Sequence, residues 1–352
     1  MALLARAASF PPFPRGRAGK RITILSIDGG GFFAKQVTQI YLQEAPIIFS
    51  PLKYDFCGLC EAWRMIMGPR YSGVGLVDIV TRLLGDVRLK DTVTNVVIPA
   101  FDICNQQPVF FSSARAKRDS LGDPTLAQVC QGSSAAPTYL PAVKFTTSND
   151  ATGETRHFHL VDGGVVCNNP TTVAITQAIK DLEPGNTANS GRAIWTGFKD
   201  FLVLSLGTGE MPVSYDAMEA AHWGLIRWFR NRGDGSVPLI EIFSNGSGDM
   251  VDYNLGLVFG RDESSQNYLR IQTDALDGEI SSLDNASETN MQELVAIAKG
   301  LLMKPATTRN LETGKLEPCS DLSTNAERLL RFALWLSYER RSRIRDGMLH
   351  QV

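Results

Sequence analysis

Two stretches of this chain end an apolar run at an acid followed by glycines. Ile22-Thr-Ile-Leu-Ser-Ile27 stops at Asp28-Gly29-Gly30-Gly31, and His157-Phe-His-Leu-Val161 stops at Asp162-Gly163-Gly164. Consecutive glycines at the end of a buried strand permit a sharp turn that presents backbone N–H groups to a ligand. A helical pattern follows from Ala34, so the amides of Gly29, Gly30 and Gly31 would lie at a helix N-terminus, where they can stabilise an anion. Asp162, at the end of its own strand, is placed to act as a general base in a cleft. Together the two loops suggest acyl transfer, one as oxyanion hole and one supplying the base. Each has a structural alternative: a tight turn for the glycines, a turn or N-cap acid for Asp162.

That chemistry requires a nucleophile, and its usual carrier is a serine in a Gly-x-Ser-x-Gly elbow between a strand and a helix. No serine of this sequence has glycine at both second neighbours. Ser134 comes nearest, with Gly132 before it and Ala136 after it, but it follows a helical pattern and precedes Pro137, which fits a helix-ending loop better. Gly29-x-Gly31-x-x-Ala34 also fits the dinucleotide fingerprint. That motif needs an acid about twenty residues on, at the end of a second strand, and here the region reads as helix or loop. His157 and His159 alternate along one strand face and fit a packed or solvated pair better than a ligand set.

The bulk composition narrows the classes. The chain has 352 residues, 43% hydrophobic and 20% charged, as expected of an ordinary globular protein. Lys+Arg at 35 against Asp+Glu at 37 gives a formal charge of -2, so nothing global favours nucleic acid or an anionic membrane. The 6 cysteines are scattered, with Cys57 and Cys60 the only close pair, which argues against a disulfide scaffold and against zinc. No metal or other cofactor is expected. The apolar run before Arg6 is too short for a secretory signal, and no run has transmembrane length. The expected location is therefore cytoplasmic, with any lipid contact local.

The elements that would position these loops alternate between strand and helix. Residues 1–20 are Pro/Arg-rich and read as an arm, 21–345 as a single α/β domain, and 346–352 as a tail. Strand patterns fall at 22–27, 93–102, 108–112, 157–161, 200–206 and 268–272, and helical patterns at 34–49, 74–84, 171–182, 217–230, 237–257, 286–303 and 325–343. Asp123-Pro124 and Asn169-Pro170 each place an N-cap residue before proline at a helix start, and Thr324 with Glu327 forms a capping box. The basic end of the last helix, Arg340, Arg341, Arg343 and Arg345, fits a solvated helix end or a contact with anionic headgroups.

Several separated motifs resemble plant patatins, of the patatin-like phospholipase family. Ile24-Leu-Ser-Ile-Asp-Gly-Gly-Gly31 is similar to the family's oxyanion motif and Val161-Asp-Gly-Gly-Val-Val-Cys-Asn-Asn-Pro170 to its Asp-Gly motif. Pro99–Ile103, Ser133–Tyr139, Leu204–Gly209 and Ser265–Gln272 also match, so the resemblance runs from about Arg21 to the last helix. It implies a three-layer α/β fold with a mostly parallel central sheet. It also implies hydrolysis of acyl esters of membrane phospholipids or galactolipids by a Ser-Asp dyad, with peripheral membrane contact, no cofactor and no nucleic acid. By position, Gly29, Gly30 and Gly31 match the oxyanion residues, Asp162 the base, and Gly163 and Gly164 the rest of the Asp-Gly motif.

One departure matters. In the family, a short helix, a strand and the serine elbow follow the third glycine. Here Gly31 runs through Phe32 and Phe33 into Ala34, which also replaces the family's final loop glycine, and on into a segment resembling what comes after the elbow. The expectation is a patatin fold short of a strand–helix block after the first strand, inactive or severely impaired. Its alternative is a non-catalytic lipid-binding or storage protein on the same scaffold.

Overall fold

The structure is a computed structural model that describes residues 21–28, 37–50, 68–182, 197–210, 214–229, 237–260, 266–276, 278–282 and 284–345. The run Phe201–Leu206 (β6) lies between Ile22–Ile27 (β1) and Tyr268–Ile271 (β7) in a three-stranded, all-parallel sheet. Ile22 pairs with Phe201 and Ile27 with Leu206, while Val203 pairs with Tyr268.

Strand alternation in β6 sends its apolar residues to two separate cores. Phe201 and Val203 pack with Ile175, Leu255 and Phe259, from the helices Thr171–Lys180 (α6) and Pro238–Phe259 (α9). Leu202 faces the other way, against Leu269, Ile271, Phe332 and Trp335, the last two on the closing helix Asn325–Arg345 (α11). Helix, sheet and helix therefore form three layers here, and each fully buried side chain of this kind contributes roughly 1.5–3 kcal/mol. The N-terminal strand is tied down at the same end: Arg21 N–H donates to Glu339 Oε1 at 2.8 Å, and Arg343 donates to the Arg21 carbonyl. Arg343, read from sequence as part of a solvated or headgroup-facing stretch, is thus an internal clamp.

The other four long strands form a separate antiparallel sheet in the order β3-β2-β5-β4, with β2 at Val97–Asp102, β3 at Gln107–Ser112, β4 at Val143–Ser148 and β5 at Thr155–Asp162. Four residues, Ile103–Gln106, join β2 to β3, too few for a parallel crossover. Asp102 Oδ1 shapes that turn by accepting the N–H groups of Cys104 and Asn105. Phe111, Phe145 and Phe158 pack across this sheet with Val129, which lies on the helix Leu126–Ser133 (α4). The α/β class holds, and the described sheet divides into parallel and antiparallel parts. Asp28 and Asp162 consequently do not end parallel strands of one sheet, because β5 pairs antiparallel with both β2 and β4.

β1 departs from its sequence pattern. An Ile/Leu-rich parallel strand is normally buried on both faces, yet Thr23 is exposed and Leu25 is 54% exposed. Among the described residues β1 pairs only with β6, so its second edge carries no described strand.

Of the two acidic cap signals, one holds and one does not. The capping box holds: Thr324 Oγ1 accepts from Glu327 N–H and Glu327 Oε2 from Thr324 N–H. Asp123 does not cap α4. Thr125 does, in a capping box with Gln128, because Asp123 is buried and engaged by Arg88 and Lys90. Strand β4 and the short pair Thr307–Arg309 (β8) and Leu316–Pro318 (β9) have no counterpart in the sequence reading. The 217–230 pattern splits into the short helices Ala217–Ala220 (α7) and Leu225–Phe229 (α8). The remaining helices are Val37–Ile48 (α1), Val74–Leu84 (α2), Ser113–Ala116 (α3), Gly164–Cys167 (α5) and Glu288–Met303 (α10). No helix among the described residues is long and apolar enough to cross a membrane.

Candidate functional site

Asp162 is the last residue of β5, and its backbone is held from two sides. Its N–H donates to the Ala135 carbonyl at 3.0 Å, and Gly163 N–H donates to the Ser133 carbonyl at 3.3 Å. The loop after α4 thus lies alongside the start of the Asp-Gly turn. Ser133 Oγ donates in turn to the Pro99 carbonyl at 2.7 Å. Gly163 is required by this approach, since a Cβ there would lie 2.4 Å from the Pro99 carbonyl oxygen.

The Asp162 carboxyl is partly buried, and Oδ1 accepts the Gly164 N–H at 2.6 Å. Burial pushes its pKa up to about 6, and the Gly164 bond opposes that rise. No cation is paired with it among the described residues, and no described serine hydroxyl hydrogen-bonds to it. Ser134 closes α4, donating its N–H to Cys130. His157 is exposed and bonds Thr146 across the sheet, so the histidine pair takes no part.

Asp28 has the opposite environment. It is buried and accepts both Nη groups of Arg270, at 3.0 and 2.6 Å. Burial pushes this carboxyl upward and the bidentate guanidinium opposes it; Arg270 is held protonated by Asp28 and Asp252 against its own desolvation. The same Arg270 Nη1 donates to Ser205 Oγ at 2.9 Å. From there a chain of hydroxyl and amide groups leads back to the Asp162 loop. Ser205 meets Thr171 at 2.9 Å, Thr171 Oγ1 donates to Asn169 Oδ1 at 2.6 Å, and Asn169 Nδ2 donates to Asp252 Oδ1 at 2.9 Å. Asp252 lies 3.5 Å from Arg270 Nε and closes the ring.

The segment following Asp162 is therefore anchored, through Asn169 and Thr171, to the residue that neutralises Asp28. Burial and the Asp28 charge push the Cys167 thiol up to about 11. The structure thus ties Asp28 and the segment that follows Asp162 to one polar core. Gly29, Gly30 and Gly31 themselves lie outside the described residues, as do Ala34 and the Cys57–Cys60 pair.

Sequence reasoning missed the ring. Arg270, Asn169 and Thr171 fall in or beside motifs singled out above, but nothing in the local sequence marks Asp252 as their partner. No group of three or more His, Cys, Asp or Glu side chains among the described residues can hold a metal. An apolar cleft of about 270 Å³ opens beside the loop, bounded by Val74, Leu76, Gln131, Ala135, Leu140 and Pro141. Ala135 is the residue whose carbonyl holds Asp162.

Comparison with known proteins gives this geometry a context. A family model described as "Patatin-like phospholipase" matches residues 62–175, which include Asp162, Gly163 and Gly164. "Patatin-like protein 1" of Oryza sativa subsp. indica is 40% identical over 323 residues, covering 89% of this chain and 75% of that protein. "Patatin-like protein 3" of Arabidopsis thaliana is 41% identical over 315 residues, covering 89% and 73%. "Patatin-03" of Solanum tuberosum is 34% identical over 284 residues, covering 80% and 68%.

Proposed function

This chain belongs to the patatin-like phospholipase family, and from that premise we propose a lipid acyl hydrolase scaffold whose own turnover is severely impaired. In this reading Asp162 is the general base and the amides of Gly29, Gly30 and Gly31 are the oxyanion donors. The apolar cleft beside Ala135 receives part of the acyl chain of a membrane phospholipid or galactolipid.

The observation that carries the proposal is the state of Asp162. A partly buried carboxyl pushed up to about 6, with one hydrogen bond and no cation partner among the described residues, is mostly ionised at neutral pH and remains a good proton acceptor. It is equipped to take a proton from a hydroxyl nucleophile, but the sequence contains no serine elbow to supply one. Loss of a serine nucleophile costs around a millionfold in turnover, about 8 kcal/mol, leaving only what the oxyanion hole and substrate binding provide. Asp162 can at most activate a water, a slower route than acylation of a positioned serine.

The test is hydrolysis of a short-chain p-nitrophenyl ester by the protein and by Asp162→Ala. The expected result is a rate several orders of magnitude below that of an elbow-containing relative for both proteins, with Asp162→Ala the slower of the two because the base that activates water is gone. A rate for the unmodified chain within about tenfold of that relative's would overturn the impairment, and equal rates for the unmodified chain and Asp162→Ala would remove Asp162 as the base.

A further inference from the structure

A group of strongly exposed apolar side chains lies on α7, α8 and the start of α9, where α8 packs against α9. Met218 is 77% exposed, Leu225 78%, Ile226 83% and Phe243 70%, with Phe229 and Ile242 beside them also exposed. A solvated helix as short as α8 gains nothing from presenting Leu225, Ile226 and Phe229 to water, and a cluster of this kind marks an interaction site.

Three features of its surroundings identify the partner. Behind the exposed residues stand Tyr215, Trp223 and Trp228, stacked edge to face at 5.2 Å between neighbouring centroids. Arg227 lies over the Trp223 ring at 4.9 Å and pairs with Glu219. Aliphatic tips backed by amphipathic aromatics, with the charge neutralised by its own acid, suit the boundary between headgroups and acyl chains. The cluster is also fixed to the helix that serves the site. Tyr215 Oη donates to Glu241 Oε2 at 2.6 Å, and eleven residues further along α9, roughly 16 Å at 1.5 Å per residue, Asp252 holds Asn169.

We propose that Met218, Leu225, Ile226, Phe229, Ile242 and Phe243 form a membrane-docking knob that inserts into the interfacial region of a lipid bilayer. The choice of lipid as partner rests on the family's lipid-ester reading; the docking itself requires no turnover. Because the formal charge is -2 overall and Arg227 is paired, insertion is driven by apolar burial rather than by anionic headgroups. It therefore extends to zwitterionic vesicles and resists salt.

The experiment is co-sedimentation of the full chain with phosphatidylcholine vesicles, with tryptophan emission followed in parallel. Expected are binding of the unmodified protein with a blue shift, persistence of both at roughly 0.5 M salt, and at least a tenfold weaker partition for Leu225→Asp/Ile226→Asp, roughly the effect of losing two inserted aliphatic side chains. Val93→Ser removes a fully exposed valine elsewhere and leaves binding unchanged, and circular dichroism shows all three proteins equally folded. Folded protein that stays in the supernatant overturns the knob, as does undiminished binding by the double variant or binding abolished by salt. Light scattering that finds a dimer, with the double variant monomeric, gives the surface to a second copy of the chain instead. Since no hydrolysis is read, a docking knob on an inactive protein and an active protein without one give different results.

Discussion

Asp28 ends β1 in the parallel sheet and Asp162 ends β5 in the antiparallel sheet, and each is followed directly by glycine. Asp28 is gripped by both arms of Arg270 inside a ring that includes Ser205, Thr171, Asn169 and Asp252. Asp162 has one backbone N–H and a pKa near 6. The same acid–glycine pattern thus makes a structural ion pair at one site and, among the described residues, a carboxyl with no cation at the other. What separates them is not the local sequence but the partner each receives from elsewhere in the chain.

The comparison breaks most visibly if Asp28 is neutralised. Asp28→Asn leaves Arg270 buried without its bidentate partner, and the expected loss is about 3–5 kcal/mol in urea denaturation at neutral pH. A loss under about 1 kcal/mol would mean that the pair is dispensable and the two acids more alike than their surroundings indicate.

Asp162→Asn should act in the opposite direction. The folded-state pKa of Asp162 lies near 6, above its unfolded value of 3.8, so between those values the folded chain binds more protons than the unfolded one. Stability conferred by protonated Asp162 is present below pH 3.8 and is lost as pH rises through about 6. At pH 7.5 the asparagine variant is therefore expected to be more stable than the parent by up to about 3 kcal/mol, less in proportion to the water reaching the exposed edge of the carboxyl. The gap should close as pH falls below the unfolded value. Denaturation curves at several pH values check this, and a pH-independent difference would contradict the assignment.

The smallest effect sharpens the contrast at β1 itself. Leu25 sits mid-strand in an apolar run but is half exposed, so Leu25→Ser should change stability by no more than about 0.5 kcal/mol. A loss of 2 kcal/mol or more, of the size seen for core leucines, would show that something covers this side of the strand.

Much of this arrangement was legible in the sequence. The apolar run of β6, the alternation before Asp162 and the reciprocal Thr324–Glu327 cap act over a few residues, and the structure places each where the pattern put it. What the pattern could not supply is pairing between distant segments. The division into two sheets depends on which strand lies beside which. The Asp28–Arg270 pair spans 242 positions, and Asp252 shows no periodic or motif signal on α9. Asp123 was misassigned for the same reason: an acid before proline looks like a cap until Arg88 and Lys90, brought from another segment, capture it.

The register of β1 against β6 also fixes an order of events. The antiparallel sheet lies within residues 97–162 and can close as its hairpins emerge. β1 must wait for Phe201–Leu206, nearly half the chain later, which at typical synthesis rates is roughly 10–40 s. Its end clamp to Glu339 spans 318 positions and comes later still. For that interval an apolar strand followed by three glycines lacks β6, its pairing partner among the described residues, so its shielding from water is set by the far end of the molecule.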